Sequence, residues 1–199
     1  MRSYGCSEWH RKWRSPLALL ALGALLGPVP VAQASENKQP VLPAGLEPVR
    51  AVLEKYRDPI AAVHDGYFST LGCVHYAEGG MGIHFLNVGL IGPVPDPMAP
   101  QLLIYEPDDE GALHLVAAEW LIPLATGVEG RPELFGQAFN GPMEGHVPLM
   151  PKELHHYDLH VWLFKENPDG LFGTTNPNVD CVGKHYALLE EPPPEVPHH

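Results

Sequence analysis

At 199 residues the chain has the length of one domain, and 45% hydrophobic with 18% charged residues is a composition that buries a core and excludes a disordered chain. Acidic residues outnumber basic ones 24 to 12, and four of the bases, Arg2, Arg11, Lys12 and Arg14, fall in the first fourteen residues. The remainder of the chain is too acidic to displace phosphate counterions or to sit on an acidic bilayer, which excludes nucleic acid and anionic membrane surfaces as partners.

Residues 1–34 read as a secretory signal. Arg11, Lys12 and Arg14 supply the positive start, Leu17 to Gly27 is an apolar run, and Ala32-Gln33-Ala34 is a small-x-small cleavage site. The run is shorter than the about 20 residues a span requires; an uncleaved N-terminal anchor is the alternative. The expected product is exported, periplasmic or extracellular, and free of the membrane once the signal is cleaved. It keeps two cysteines, Cys73 and Cys181. In an oxidising compartment an even pair predicts one disulfide, with two buried thiols as the alternative.

Residues 35–45 are polar and proline-bearing, a linker. Leu46, Val49, Leu53 and Tyr56 then recur at helical spacing, with charged residues on the other side. Asp58-Pro59 predicts an N-cap and a proline at the first helical position. A second short helix comes next, carrying Ile60, Val63 and Tyr67 on its apolar face and ending near Gly66. After Gly72 the pattern turns to strands: 82–86, 101–106, 112–122 and 156–164 are apolar, extended and bounded by turn residues. The Gly/Pro-rich stretch 127–152 predicts a long loop around a short element at Leu134–Phe139. Residues 46–190 are expected to form a single β-rich domain, an antiparallel barrel or sandwich with two short N-terminal helices, followed by a Pro-rich mobile tail, 191–199.

The chemistry-bearing residues narrow the field. Beyond the signal the only serines are Ser35 and Ser69, neither in a G-x-S-x-G elbow, and the glycines of Glu78-Gly79-Gly80-Met81-Gly82 fit no phosphate-binding loop. Eleven histidines remain after residue 34, several inside strands. Period-two alternation places Glu119 on a face with Leu113, Leu115 and Leu121, and Glu106 with Leu102 and Ile104. It places His160 with Asp158, Trp162 and Phe164, and His84 with Leu86. A buried carboxylate needs a partner, and no Lys or Arg lies between Arg57 and Arg131.

His84, Glu106, Glu119 and His160, converging from four strands, would supply two imidazoles and two carboxylates. That set suits a divalent transition metal, Zn, Fe or Mn, and a three-ligand subset resembles the facial triad of non-haem iron sites. An open metal position would activate water or dioxygen, with Tyr105 or His75 as assisting groups. Two metal-free readings stand beside it. One is a structural Glu/His hydrogen-bond network; the other leaves Glu106 facing water. The corresponding binding module would take a small or sugar-like molecule on Trp120 and Trp162, and a carboxylate pair across a cleft would suit glycoside hydrolysis. His155-His156 reads as a solvated pair, with a second metal or proton site as the alternative.

The combination of Tyr56-Arg57-Asp58, Met81-Gly82-Ile83-His84-Phe85-x-Asn87, Leu103-Ile104-Tyr105-Glu106-Pro107, Leu159-His160-Val161-Trp162 and Asn176-Pro177-x-Val179-x-Cys181 resembles an uncharacterised family of exported bacterial proteins, over residues 50–181. The resemblance implies a shared fold and export, and attaches no activity. Cupins are the named fold closest in expectation. Their first motif has H-x-H followed by Glu, where this chain has the single histidine of Gly82-Ile83-His84, which argues against cupin membership and leaves a cupin-like barrel open.

Overall fold

A computed structural model describes residues 40–184 and 186–198. The expected signal, 1–34, lies outside the described residues. The fold is mainly β: two short helices, α1 (Glu47–Leu53) and α2 (Pro59–His64), precede nine strands. Seven strands form one curled sheet, a half-barrel with the order β7-β8-β4-β3-β2-β1-β9; β5 (Glu133–Leu134) and β6 (Gln137–Ala138) form a small separate hairpin. The strands of the large sheet are β1 (Phe68–His75), β2 (Gly80–Leu86), β3 (Leu102–Pro107), β4 (Leu113–Pro123), β7 (Asn140–Met143), β8 (His156–Val161) and β9 (Ala187–Leu189). All neighbours run antiparallel except β1 and β9. Among the described residues no helix is long and apolar enough to cross a membrane.

The helices form where the sequence chemistry directs. Leu46, Val49, Leu53 and Tyr56 are all buried against the sheet. The last turn of α1 tightens into a 3₁₀ turn over Glu54–Arg57. Asp58 caps α2 by accepting from the Ile60 amide at 2.9 Å, with Pro59 at the first helical position, where its missing N–H costs nothing. The apolar face expected for α2 is not realised. Ile60 and Val63 are exposed, because the helix ends at His64 and contributes only Ala62 to the core, while Tyr67 is buried beyond it.

Alternation divides the central strands into two faces. Ile83, Phe85, Leu103, Tyr105, Ala118, Trp120, Ile122, Tyr157, Leu159 and Val161 join the helices in one core. His84, Leu86, Leu102, Glu119, Leu121 and His160 face a cavity on the other side. Strand irregularities shift this pattern. Tyr105 pairs with Leu115 but Ile104 pairs with Ala117, leaving Val116 as an extra residue. Leu113 and Leu115 consequently belong with the helix-side core rather than with Glu119. After Val161 the strand ends; the Trp162 amide donates to Leu171 O at 2.9 Å, and Trp162 and Phe164 pack into the helix-side core rather than beside His160.

The Pro-rich end lies against β7: the Glu144 amide donates to Pro194 O at 3.0 Å and that of Val196 to Pro142 O at 2.8 Å. A disulfide joins Cys73 of β1 to Cys181. Two residues before His84, Gly82 holds φ +103°, and a Cβ there would stand 2.7 Å from Tyr105 O and 2.9 Å from Ile104 Cγ2. Gly82→Ala is therefore expected to lower stability by about 2–3 kcal/mol. Urea midpoints check this; a change under about 0.5 kcal/mol would show that β2 tolerates the side chain.

Candidate metal centre

The first group of candidate ligands comes from three strands in the middle of the sheet. Leu86 pairs with Leu102, Leu102 with Glu119 and Glu119 with His160, so their side chains form a row, with His84 two residues before Leu86 on the same face of β2. Glu119 Oε2 lies 3.4 Å from His84 Nε2 and 3.6 Å from His160 Nε2. The two imidazole rings stand nearly perpendicular, 88° between planes. Glu119 and His160 are buried, and His84 is nearly so.

These separations bear on two readings of the cluster. A nitrogen–oxygen hydrogen bond spans about 2.7–3.2 Å, and all three groups sit beyond it. Glu119 Oε2 and both ring nitrogens of His160 have no hydrogen-bond partner among the described residues. Burying such groups unpaired costs about 1–3 kcal/mol each. Around a tetrahedral ion with ligand bonds near 2.1 Å, donor atoms stand about 3.4 Å apart. The spacing matches ligands around an ion better than members of a closed hydrogen-bond network.

The electrostatics agree with that spacing. Burial, with His160 and His146 nearby, pushes the His84 imidazole down to about 3. Burial likewise lowers His160 and His156. The imidazoles are thus neutral at ordinary pH, the form that binds a metal. Burial first, and the Asp158 charge second, push the Glu119 carboxyl well above the usual carboxylate range; a divalent cation reverses that penalty.

These shifts make the stability of the chelator-treated protein depend on pH. His84 titrates lower in the fold than the ordinary 6.5, so the unfolded chain takes up the proton first, and stability present above pH 6.5 is lost as pH falls toward about 3. At pH 5 the His84 share alone is about 2 kcal/mol. His156 and His160 act in the same direction. Glu119 opposes them, since a raised carboxyl favours the fold most at acid pH and loses that contribution as pH rises. Three groups against one predict urea midpoints that fall between pH 6.5 and pH 5, and a flat profile would contradict neutral burial of the imidazoles.

Glu106, expected as a fourth ligand, is not in this group. Lys165 reaches it across 59 positions of sequence, Nζ to Oε2 at 2.5 Å, and its other oxygen accepts from the Asp180 amide at 2.9 Å. The scarcity of bases near Glu106 in sequence gave no hint of a lysine supplied from beyond β8. Tyr105 and His75 do not assist either. Tyr105 is buried on the helix side, its hydroxyl donating to Tyr56 O at 2.7 Å, and His75 lines a separate surface hollow. Trp120 and Trp162 are fully buried in the helix-side core, so neither offers a face to a sugar.

The cavity in front of His84, Glu119 and His160 has a volume of about 240 Å³. Its wall is mainly apolar, with Val74, Met81, Leu86, Leu102, Leu121 and Met150 among the residues that form it, and among the described residues no Lys or Arg lines it. No family model, curated protein or solved structure matches the chain. Among the described residues two groups each have their donor atoms within 4.8 Å of one another, a spacing that could hold a metal ion: His84, Glu119 and His160, and separately His146, His156 and Asp158. Strand periodicity did not reveal the second group. His156 is fully buried rather than solvated, and His146 and Glu190, which also line the cavity, come from segments with no strand periodicity to mark them.

Proposed function

We propose that the chain is an exported β-domain protein that binds one divalent transition-metal ion, Zn, Fe or Mn, through His84, Glu119 and His160. The observation that carries this reading is the spacing of Glu119 Oε2, 3.4 Å from His84 Nε2 and 3.6 Å from His160 Nε2, with the Glu119 and His160 atoms buried and unpartnered among the described residues. Two imidazoles and one carboxylate leave open positions toward the cavity, where the ion would supply Lewis acidity to a small molecule. The residues around it do the rest. Leu86, Leu102 and Leu121 keep the chamber apolar, which strengthens any charge interaction made there and selects a small molecule with an apolar body. The disulfide fits an oxidising compartment and so supports export.

A second reading, a metal-free module for a small apolar molecule, is favoured by the same wall. Elemental analysis of protein purified without a histidine tag, followed by chelation and titration with zinc, iron(II) or manganese, separates the two. Stoichiometric metal and a cation-dependent rise in melting temperature are expected. Absence of bound metal, with melting unaffected by chelator or cation, would leave only the metal-free module.

A further inference from the structure

We propose that a second divalent cation sits beside the cavity, between His146, which lines it, and the buried His156 and Asp158. Alternation along β8 puts His156, Asp158 and His160 on one face, so this seat adjoins the first without sharing a ligand. Asp158 Oδ2 lies 3.9 Å from His156 Nε2 and 4.0 Å from His146 Nε2. His146 sits on the loop between β7 and β8, and a contraction of about half an ångström brings it to ligand spacing.

Each donor is held from behind, as metal ligands are. His156 Nδ1 donates to Leu154 O at 3.1 Å, which leaves the lone pair on Nε2; that atom is fully buried and has no partner among the described residues. His146 Nδ1 faces Glu190 Oε2 at 3.4 Å and the Tyr76 hydroxyl at 3.3 Å, turning its Nε2 toward Asp158. Asp158 Oδ1 accepts from Asn140 Nδ2 at 3.1 Å, so Oδ2 is the oxygen left to face the histidines. Charge adds an independent argument. Glu119, Asp158 and Glu190 are three buried acids whose only ion-pair partners among the described residues are histidines. One divalent ion offsets two of them, whereas two ions offset all three.

The second seat is tested by cobalt(II) titration of chelator-stripped, tag-free protein, followed by calorimetry and visible absorption. The wild type is expected to bind two equivalents, Glu119→Gln one, His146→Ala one, and the double variant none. His146→Gln, closer in volume, serves if the alanine variant folds poorly. One equivalent in the wild type, lost with Glu119→Gln and kept with His146→Ala, would overturn the second seat while leaving the first intact. A second equivalent that survives both His146 variants, or disappears on deleting His198 and His199, would overturn it as well. No cobalt bound at all would remove both seats together.

Discussion

Exchange of Glu119 for glutamine is expected to abolish the stabilisation that a divalent cation confers at the first seat. An ion at a thousandfold excess over its Kd stabilises the fold by about 4 kcal/mol, which for a domain of this size raises the melting temperature by roughly 8–16 °C. Glutamine keeps the shape but supplies no anionic oxygen, so that rise disappears. In chelator the same change has the opposite sign. Burial and Asp158 already penalise the ionised carboxyl, and a neutral amide in its place leaves stability equal or about 1 kcal/mol higher. Thermal melts with and without zinc read both halves. Equal cation-induced shifts in wild type and variant would show that Glu119 is not a ligand.

The second large effect belongs to the disulfide. Cys73 and Cys181 are separated by 108 residues and both are buried. Removing the cross-link releases a long loop in the unfolded chain, which chain-entropy arguments put at about 4–5 kcal/mol. The Cys73→Ser, Cys181→Ser double variant is expected to melt roughly 8–20 °C lower. In the folded state the bond itself sits near one sheet edge. Cys73 pairs with Ala187 of β9, which leads directly to Glu190, whereas His84, Glu119 and His160 stand on interior strands. Cobalt binding to the first seat should therefore survive in the double variant below its melting point. A melting temperature within about 2 °C of wild type would contradict the cross-link's weight in the fold.

How much of this was legible in the sequence depends on whether the pattern was local. The Asp58-Pro59 start of α2 is written in consecutive residues, and so is the alternation of β2, of β4 beyond its bulge and of β8, which points to His84, Glu119 and His160. β1 escaped because its period breaks: Leu71 adopts φ +71° and is exposed, and the pairing with β2 shifts between Ser69 and Cys73. β7 escaped because Asn140-Gly-Pro-Met carries the residues of a turn; as an edge strand it tolerates the proline. Glu106 was misassigned for a different reason. Its charge partner is remote in sequence, and scarcity of nearby lysines says nothing about what folding brings to it. His146 and Glu190 lie in loops, where position is fixed by tertiary contacts that no spacing rule encodes.

The bulges that obscured the strand pattern also set the size of the chamber. Pairing slips between β1 and β2, between β3 and β4, and between β7 and β8, and each slip bends the sheet and adds twist. That curl lets His146, beyond one edge strand, meet Glu190, beyond the other. Gaining or losing a single bulge residue would widen or narrow the space before the donors while sparing the donors themselves. Insertions and deletions in these strands, rather than replacement of the residues that line the wall, would therefore change the volume of the chamber.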